Sequence, residues 1–99
     1  MAKYFLTSKA INDLSAFWEY TFDKWSERQA DKYHEMLTSS FEDIVKQPAL
    51  GKKYPEIDMN LMGFRVGKHI IFYRIANSID IEILRILHYR MDLKNRIEE

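Results

Sequence analysis

Two apolar stripes of helical period stand almost end to end, and the short link between them restricts the fold more than any other feature of the chain. The first stripe is Ile11, Leu14, Trp18, Thr21, Phe22 and Trp25. That spacing is the repeat of one face of a 3.6-residue helix. Asn12, Asp13, Glu19 and Asp23 fall largely on the other side. A first helix is predicted over 9–25. Ser26 followed by Gln29 fits a capping box, in which each side chain satisfies a backbone donor near the other. The second stripe is Ala30, Tyr33, Leu37, Phe41, Ile44 and Val45, and it predicts a helix over 27–47. Pro48 ends that helix, because the residue before a proline avoids the α region. With so short a link, the two helices must fold back as an antiparallel hairpin.

On either side of the hairpin the pattern belongs to strands. Lys3 to Thr7 is short, aromatic and β-prone, and it predicts a first strand. Thr7 or Ser8 is placed to cap the helix that follows. Residues 48–60, punctuated by Pro48, Gly51 and Pro55, are expected to form a surface loop. Strands are then predicted over Leu61 to Val66, His69 to Ala76 and Ile79 to His88. Gly67-Lys68 and Asn77-Ser78 supply the tight turns between them. The order β-α-α-β-β-β places a helical hairpin on a small, mostly antiparallel sheet, an α+β fold.

The last strand is irregular. Ile79, Ile81 and Ile83 alternate with Asp80 and Glu82, as in a half-exposed strand. From Leu84 onward both parities are apolar: Leu84 and Ile86 on one, Ile83 and Leu87 on the other. Either a bulge shifts the register, or the second face is covered.

Composition narrows the function classes. The 99 residues, 46% hydrophobic and 14% aromatic, suit a single folded domain over 1–99. The absence of cysteine excludes disulfides, thiolate nucleophiles and cysteine-based zinc sites. No apolar run approaches the ~20 residues of a membrane span, and the start of the chain lacks a signal-peptide pattern. A cytoplasmic protein is the expectation. Fifteen basic and fifteen acidic side chains balance, whereas a protein that grips many phosphates is usually strongly basic. The sharpest local excess is Arg85, Arg90, Lys94 and Arg96 against Asp92.

Few chemistries have material behind them. His34, His69 and His88 fall in three different elements without carboxylates at ligand spacing, so no metal is expected. There is no Gly-x-Ser-x-Gly elbow and no glycine-rich phosphate loop. Acid–base cleavage of RNA needs a base, an acid and cations for the phosphate. Arg65, Arg74, Arg85, His88, Tyr89 and Arg90 are the residues that would supply them, although ordinary solvated strand positions explain them more simply. Trp18, Phe22 and Trp25 are expected to pack within the hairpin or core.

The stretch Arg85-Ile86-Leu87-His88, followed by Met91-Asp92, resembles the end-of-sheet motif of ParE-type toxins in the RelE/ParE superfamily. Other pieces agree in order: Ala10, Asp13 and Leu14 in the first helix, Tyr20-Thr21 and Trp25 at its end, and Gln29-Ala30 with Tyr33 in the second. Pro48 and Gly51 match the loop, while Gly63-Phe64-Arg65 and His69 to Arg74 match the strands. The resemblance covers nearly the whole chain and rests on the ordered set.

It implies the hairpin-on-sheet fold and the toxin of a type II toxin–antitoxin pair, with a role in plasmid stabilisation. ParE-like members inhibit DNA gyrase without catalysis of their own, whereas RelE-like members cut messenger RNA on the ribosome. The nucleases usually carry an arginine two residues into the strand after the hairpin turn. Here Ile70 stands there and has no donor for phosphate. That departure and the neutral charge favour the ParE branch. The gyrase-facing candidates are then Arg85, His88, Tyr89, Arg90, Met91 and Asp92. A nuclease would instead use Arg65, His88, Tyr89 and Arg90, and a non-toxic antitoxin-binding homologue is a third reading. The partner is expected to be a ParD-like antitoxin in a hetero-oligomer. Trp18, Tyr33, Leu84 and Ile86 are its candidate contacts. No cofactor, no membrane and no stable direct nucleic-acid binding are implied.

Overall fold

The computed structural model describes residues 2–98. Strand β1 (Tyr4–Leu6) leads into helices α1 (Ser8–Lys24) and α2 (Glu27–Lys46). A turn of 3-10 helix (Pro48–Leu50) precedes the two-residue strand β2 (Lys52–Lys53). Then come β3 (Met62–Val66), β4 (His69–Ala76), β5 (Asp80–His88) and helix α3 (Leu93–Glu98). The sheet order is β1-β5-β4-β3-β2. β1 runs parallel to β5 and the other pairs are antiparallel.

The hairpin forms where its caps require. Thr7 Oγ1 accepts from the Ala10 N–H at 3.1 Å, and Ser26 Oγ accepts from the Gln29 N–H at 3.1 Å. Each satisfies a donor that a helix start leaves unpaired. α2 buries Ala30, Leu37, Phe41 and Ile44 on one face, as its stripe predicts. α1 is rotated from the expected orientation. Ala10, Leu14 and Phe17 turn toward the sheet, leaving Ile11 52% and Trp25 75% exposed. The residues Ala10, Leu14 and Phe17 form a second stripe at i, i+4 and i+7. Two adjacent stripes leave the period unable to say which one faces inward.

The sheet is covered on both faces. Under the hairpin lie Val66, Ile71, Tyr73, Ile81, Ile83 and Ile86. On the opposite face Leu61, Ile70, Phe72 and Leu87 meet Tyr54, Ile57, Leu84, Tyr89, Met91, Leu93 and Ile97. Both readings of the irregular last strand are therefore realised. Phe72 pairs with Arg85 and Tyr73 with Ile83, so Leu84 is the extra residue of a β-bulge. The shifted face is covered by α3, which lies beyond the last predicted element, together with Tyr54 and Ile57 of the loop.

Turns and loop also depart slightly from expectation. Gly67 has φ +59°, as a tight turn requires. Asn77 and Ser78 are both left-handed, at φ 52° and 72°. Their turn extends through Ile79, so β5 begins at Asp80. The expected loop contains the 3-10 turn and β2. Buried Tyr73 fixes its start: the hydroxyl donates to the Pro48 carbonyl at 2.6 Å and accepts from the Gly51 N–H at 2.9 Å. A Cβ on residue 51 would lie 2.6 Å from that oxygen, so the approach needs glycine. No helix among the described residues is long and apolar enough to cross a membrane.

Candidate functional site

β-Pairing sets the geometry at the end of β5. His69 opens β4 directly opposite His88, with ring centroids 5.5 Å apart. The Tyr89 N–H donates to the Lys68 carbonyl at 3.0 Å, and the Met91 N–H to the His88 carbonyl at 3.0 Å. The chain thereby folds around the β3–β4 turn and keeps residues 88–91 together. His88 stacks on Tyr89 at 4.9 Å and 23°. Its Nδ1 accepts from the Arg90 N–H at 3.1 Å. The Arg65 guanidinium lies 4.2 Å from the Tyr89 ring centroid and the Arg90 guanidinium 5.4 Å. Arg90 Nε also donates to the Tyr89 hydroxyl at 2.8 Å. A tyrosine ring contacted by two guanidiniums is a cationic, partly apolar surface.

His69 lies deeper than His88. It packs against Phe17 at 4.0 Å and is hydrogen-bonded to the Tyr33 hydroxyl. Burial, with His88 adding to it and Asp13 opposing, pushes the His69 pKa down to about 4. The ring is neutral near pH 7. Burial likewise raises the Tyr33 phenol, so it stays protonated. These groups, with Tyr20, Trp25, Lys68, Arg90 and Met91, line an open cleft of about 920 Å³ between the hairpin end and the end of β5.

The sequence candidates divide sharply. Arg65, His88, Tyr89 and Arg90 come together, with Met91 beside them. Arg85 does not join them: it is 8% exposed. Its Nε and Nη2 donate to Asp13 at 2.8 and 3.0 Å, and its Nη1 to the Arg96 carbonyl at 2.6 Å. Asp13 also accepts from the Ile86 N–H at 3.0 Å, sealing the edge of β5 where β1 has ended. Arg85 therefore joins the first helix to the last, and a surface role for it is corrected. Asp92 accepts from the Asn95 side chain at 2.6 Å and stands at the start of α3, where it organises the helix end. Arg74 is further along β4 and pairs with Glu82.

Of the candidate antitoxin contacts, Ile86 is fully buried and Leu84 packs with the apolar cluster that α3 covers. The chain's own residues cover the second parity of β5. Tyr33 lines the cleft. Trp18 is half-buried at the seam of the hairpin, as expected, stacked on Phe22 at 5.2 Å, with its indole N–H donating to Asp31 of α2 at 3.0 Å. A hollow of about 440 Å³ lies there, lined by Ile11, Trp18, Glu19, Asp31 and His34 among others. Sequence reasoning missed Lys68 and Tyr20 as cleft residues, and the joining role of Asp13. Only the family pattern in α1 singled out Asp13 and Tyr20; periodicity carries no signal for either.

A helical hairpin on a five-stranded sheet, its last strand ending in a cation–aromatic cluster, defines a small α+β protein of the RelE/ParE architecture. A family profile described as the ParE toxin of the type II toxin–antitoxin system parDE matches residues 4–93. The chain belongs to this family of toxins. Toxin ParE1 of Mycobacterium tuberculosis is 29% identical over 96 residues, spanning 97% of this chain and 98% of that protein. Toxin ParE1 of Caulobacter vibrioides is 30% identical over 94 residues, spanning 95% and 96%. A solved structure of the chromosomal ParDE system from P. aeruginosa shares the fold, with TM-score 0.75 and 19% identity over 89% of this chain and 95% of that one. The RelBE2 toxin–antitoxin complex from Mycobacterium tuberculosis does so too, at TM-score 0.60 and 24% identity over 88% and 96%.

Proposed function

We propose that this chain is a cytoplasmic, single-domain toxin that inhibits DNA gyrase by binding, not by its own catalysis, and so blocks replication. A ParD-like antitoxin holds it silent in a hetero-oligomer. The observation that carries this reading is the cluster of Tyr89 with Arg65 and Arg90, in a chain assigned to the ParE family. It offers a cationic and aromatic contact surface. The buried Arg85–Asp13 pair withdraws one of the cations that acid–base cleavage was expected to use. Exposed Ile11, Phe22 and Trp25, with half-buried Trp18 beside them, support antitoxin binding on α1, because exposed apolar helix faces suit an amphipathic partner helix.

The test is gyrase supercoiling of relaxed plasmid with ATP. Wild-type protein should stop supercoiling and accumulate cleaved DNA, and Tyr89→Ala with Arg90→Ala should restore supercoiling. Normal supercoiling at high excess of the wild-type protein sinks the gyrase reading. The second reading, a ribosome-dependent endoribonuclease, draws on the convergence of Arg65, His88, Tyr89 and Arg90. Cleaved messenger RNA on purified ribosomes would support it.

A further inference from the structure

The cleft beside the cluster has an unusual balance of polar groups. Its lining includes Lys68, His69, His88 and Arg90 and, among the described residues, no carboxylate, in a chain whose acids and bases are equal in number. His88 adds a donor. His88 Nδ1 accepts from the Arg90 N–H, so the ring proton sits on Nε2. Tyr33 Oη contacts both His69 Nδ1 and, at 3.4 Å, the Val66 carbonyl. Lys68, Arg90 and the Nε2–H of His88 leave side-chain donors for a ligand, and His69 is held against Tyr33 behind them.

The remaining walls are largely apolar. Phe17, Tyr20, Trp25 and Met91 line them, and Tyr20 and Trp25 are 62% and 75% exposed. Such exposed rings mark an interaction site. The volume lies near the top of the roughly 300–1,000 Å³ range of ligand sites, more than a lone anion fills. A nucleic-acid strand carries a phosphate at every step and calls for a row of cations; this cleft has two permanent ones among mostly apolar walls.

We propose that this cleft binds an acidic peptide segment of a partner protein. A carboxylate sits among Lys68, His88 and Arg90, and a neighbouring aromatic or long aliphatic side chain packs against Trp25, Tyr20 and Met91. The inference rests on the end of β5 being a protein-binding surface and adds the chemistry that surface selects.

Short random peptides displayed as a library are selected on the full chain. The winners are synthesised as such and with Asp and Glu replaced by Asn and Gln, and their affinities are measured by calorimetry at near-physiological salt. Winners should carry Asp or Glu next to Leu, Phe, Tyr or Trp. Amide replacement should weaken binding by about tenfold or more, and Lys68→Gln with Arg90→Gln should do the same, as loss of charge-assisted hydrogen bonds implies. Trp25→Ala should weaken every winner while leaving the fold intact, since that ring is mostly exposed. A library with no winners, winners without acids, amide forms that bind equally, or a poly-dT oligonucleotide that binds more tightly than any winner would each overturn the proposal. Supercoiling is a separate readout: acidic winners with unaffected gyrase reject the gyrase target alone, and inhibited gyrase with no acidic winners rejects the peptide cleft alone.

Discussion

The two faces of the sheet are covered by very different amounts of chain. Over one face lie α1 and α2, 17 and 20 residues long with side-chain caps at both starts. Over the other lie the 54–61 loop and the six-residue α3. The hairpin side contains fully buried Phe41, Ile44, Tyr73 and Ile83, whereas α3 contributes only the half-buried Leu93 and Ile97. A short helix with few buried contacts opens at low free energy, while the hairpin core opens only with the whole fold. Tyr89 and Met91 belong to the lightly covered side. The contact surface thus stands on the more adaptable half of the molecule, anchored to the stable half through Arg85 and Asp13.

Four measurements would break or sharpen that contrast. Phe41→Ala, beneath the hairpin, should cost about 3–5 kcal/mol in urea unfolding and shift every probe together. Asp13→Ala should cost about 3 kcal/mol, because it leaves the Arg85 guanidinium and the Ile86 N–H without their partner in a mostly buried setting. A loss under half a kilocalorie would show that the pair does not join the halves. Leu93→Ala with Ile97→Ala should cost about 1–2 kcal/mol. Amide exchange should then speed up in α3 and the 54–61 loop before α2. Equal acceleration in α2 would mean that the two faces open as one unit.

The smallest effect is the pH dependence from His69. Its folded pKa of about 4 lies below the ordinary 6.5, through burial first and His88 second, with Asp13 opposing. Between those values the unfolded chain binds more protons. Its contribution to stability is therefore full above about pH 6.5 and is lost as pH falls toward about 4. His69→Phe should flatten the difference in urea midpoint between about pH 7 and pH 5. An unchanged slope in that variant would place the pH sensitivity elsewhere, with Tyr33, His88 and Asp13 as the neighbouring groups.

Local patterns specified the hairpin, the meander turns and the β-α-α-β-β-β order. Capping by Ser26, the stop at Pro48 and the glycine at 67 act over a few residues, so the chain states them directly. The ordered motifs ending in His88-Tyr89-Arg90 indicated the family and part of the cluster. Tertiary structure alone decided that α1 turns Ala10, Leu14 and Phe17 inward, that Leu84 is the bulged residue, and that α3 covers the second face. It also placed Arg85 beside Asp13, 72 positions earlier in the chain, and Lys68 in a cleft with Trp25. These outcomes depend on which of two adjacent apolar stripes packs best, and on pairings between distant segments. Neither propensity nor spacing encodes such choices, because each is settled by the total burial of the assembled fold.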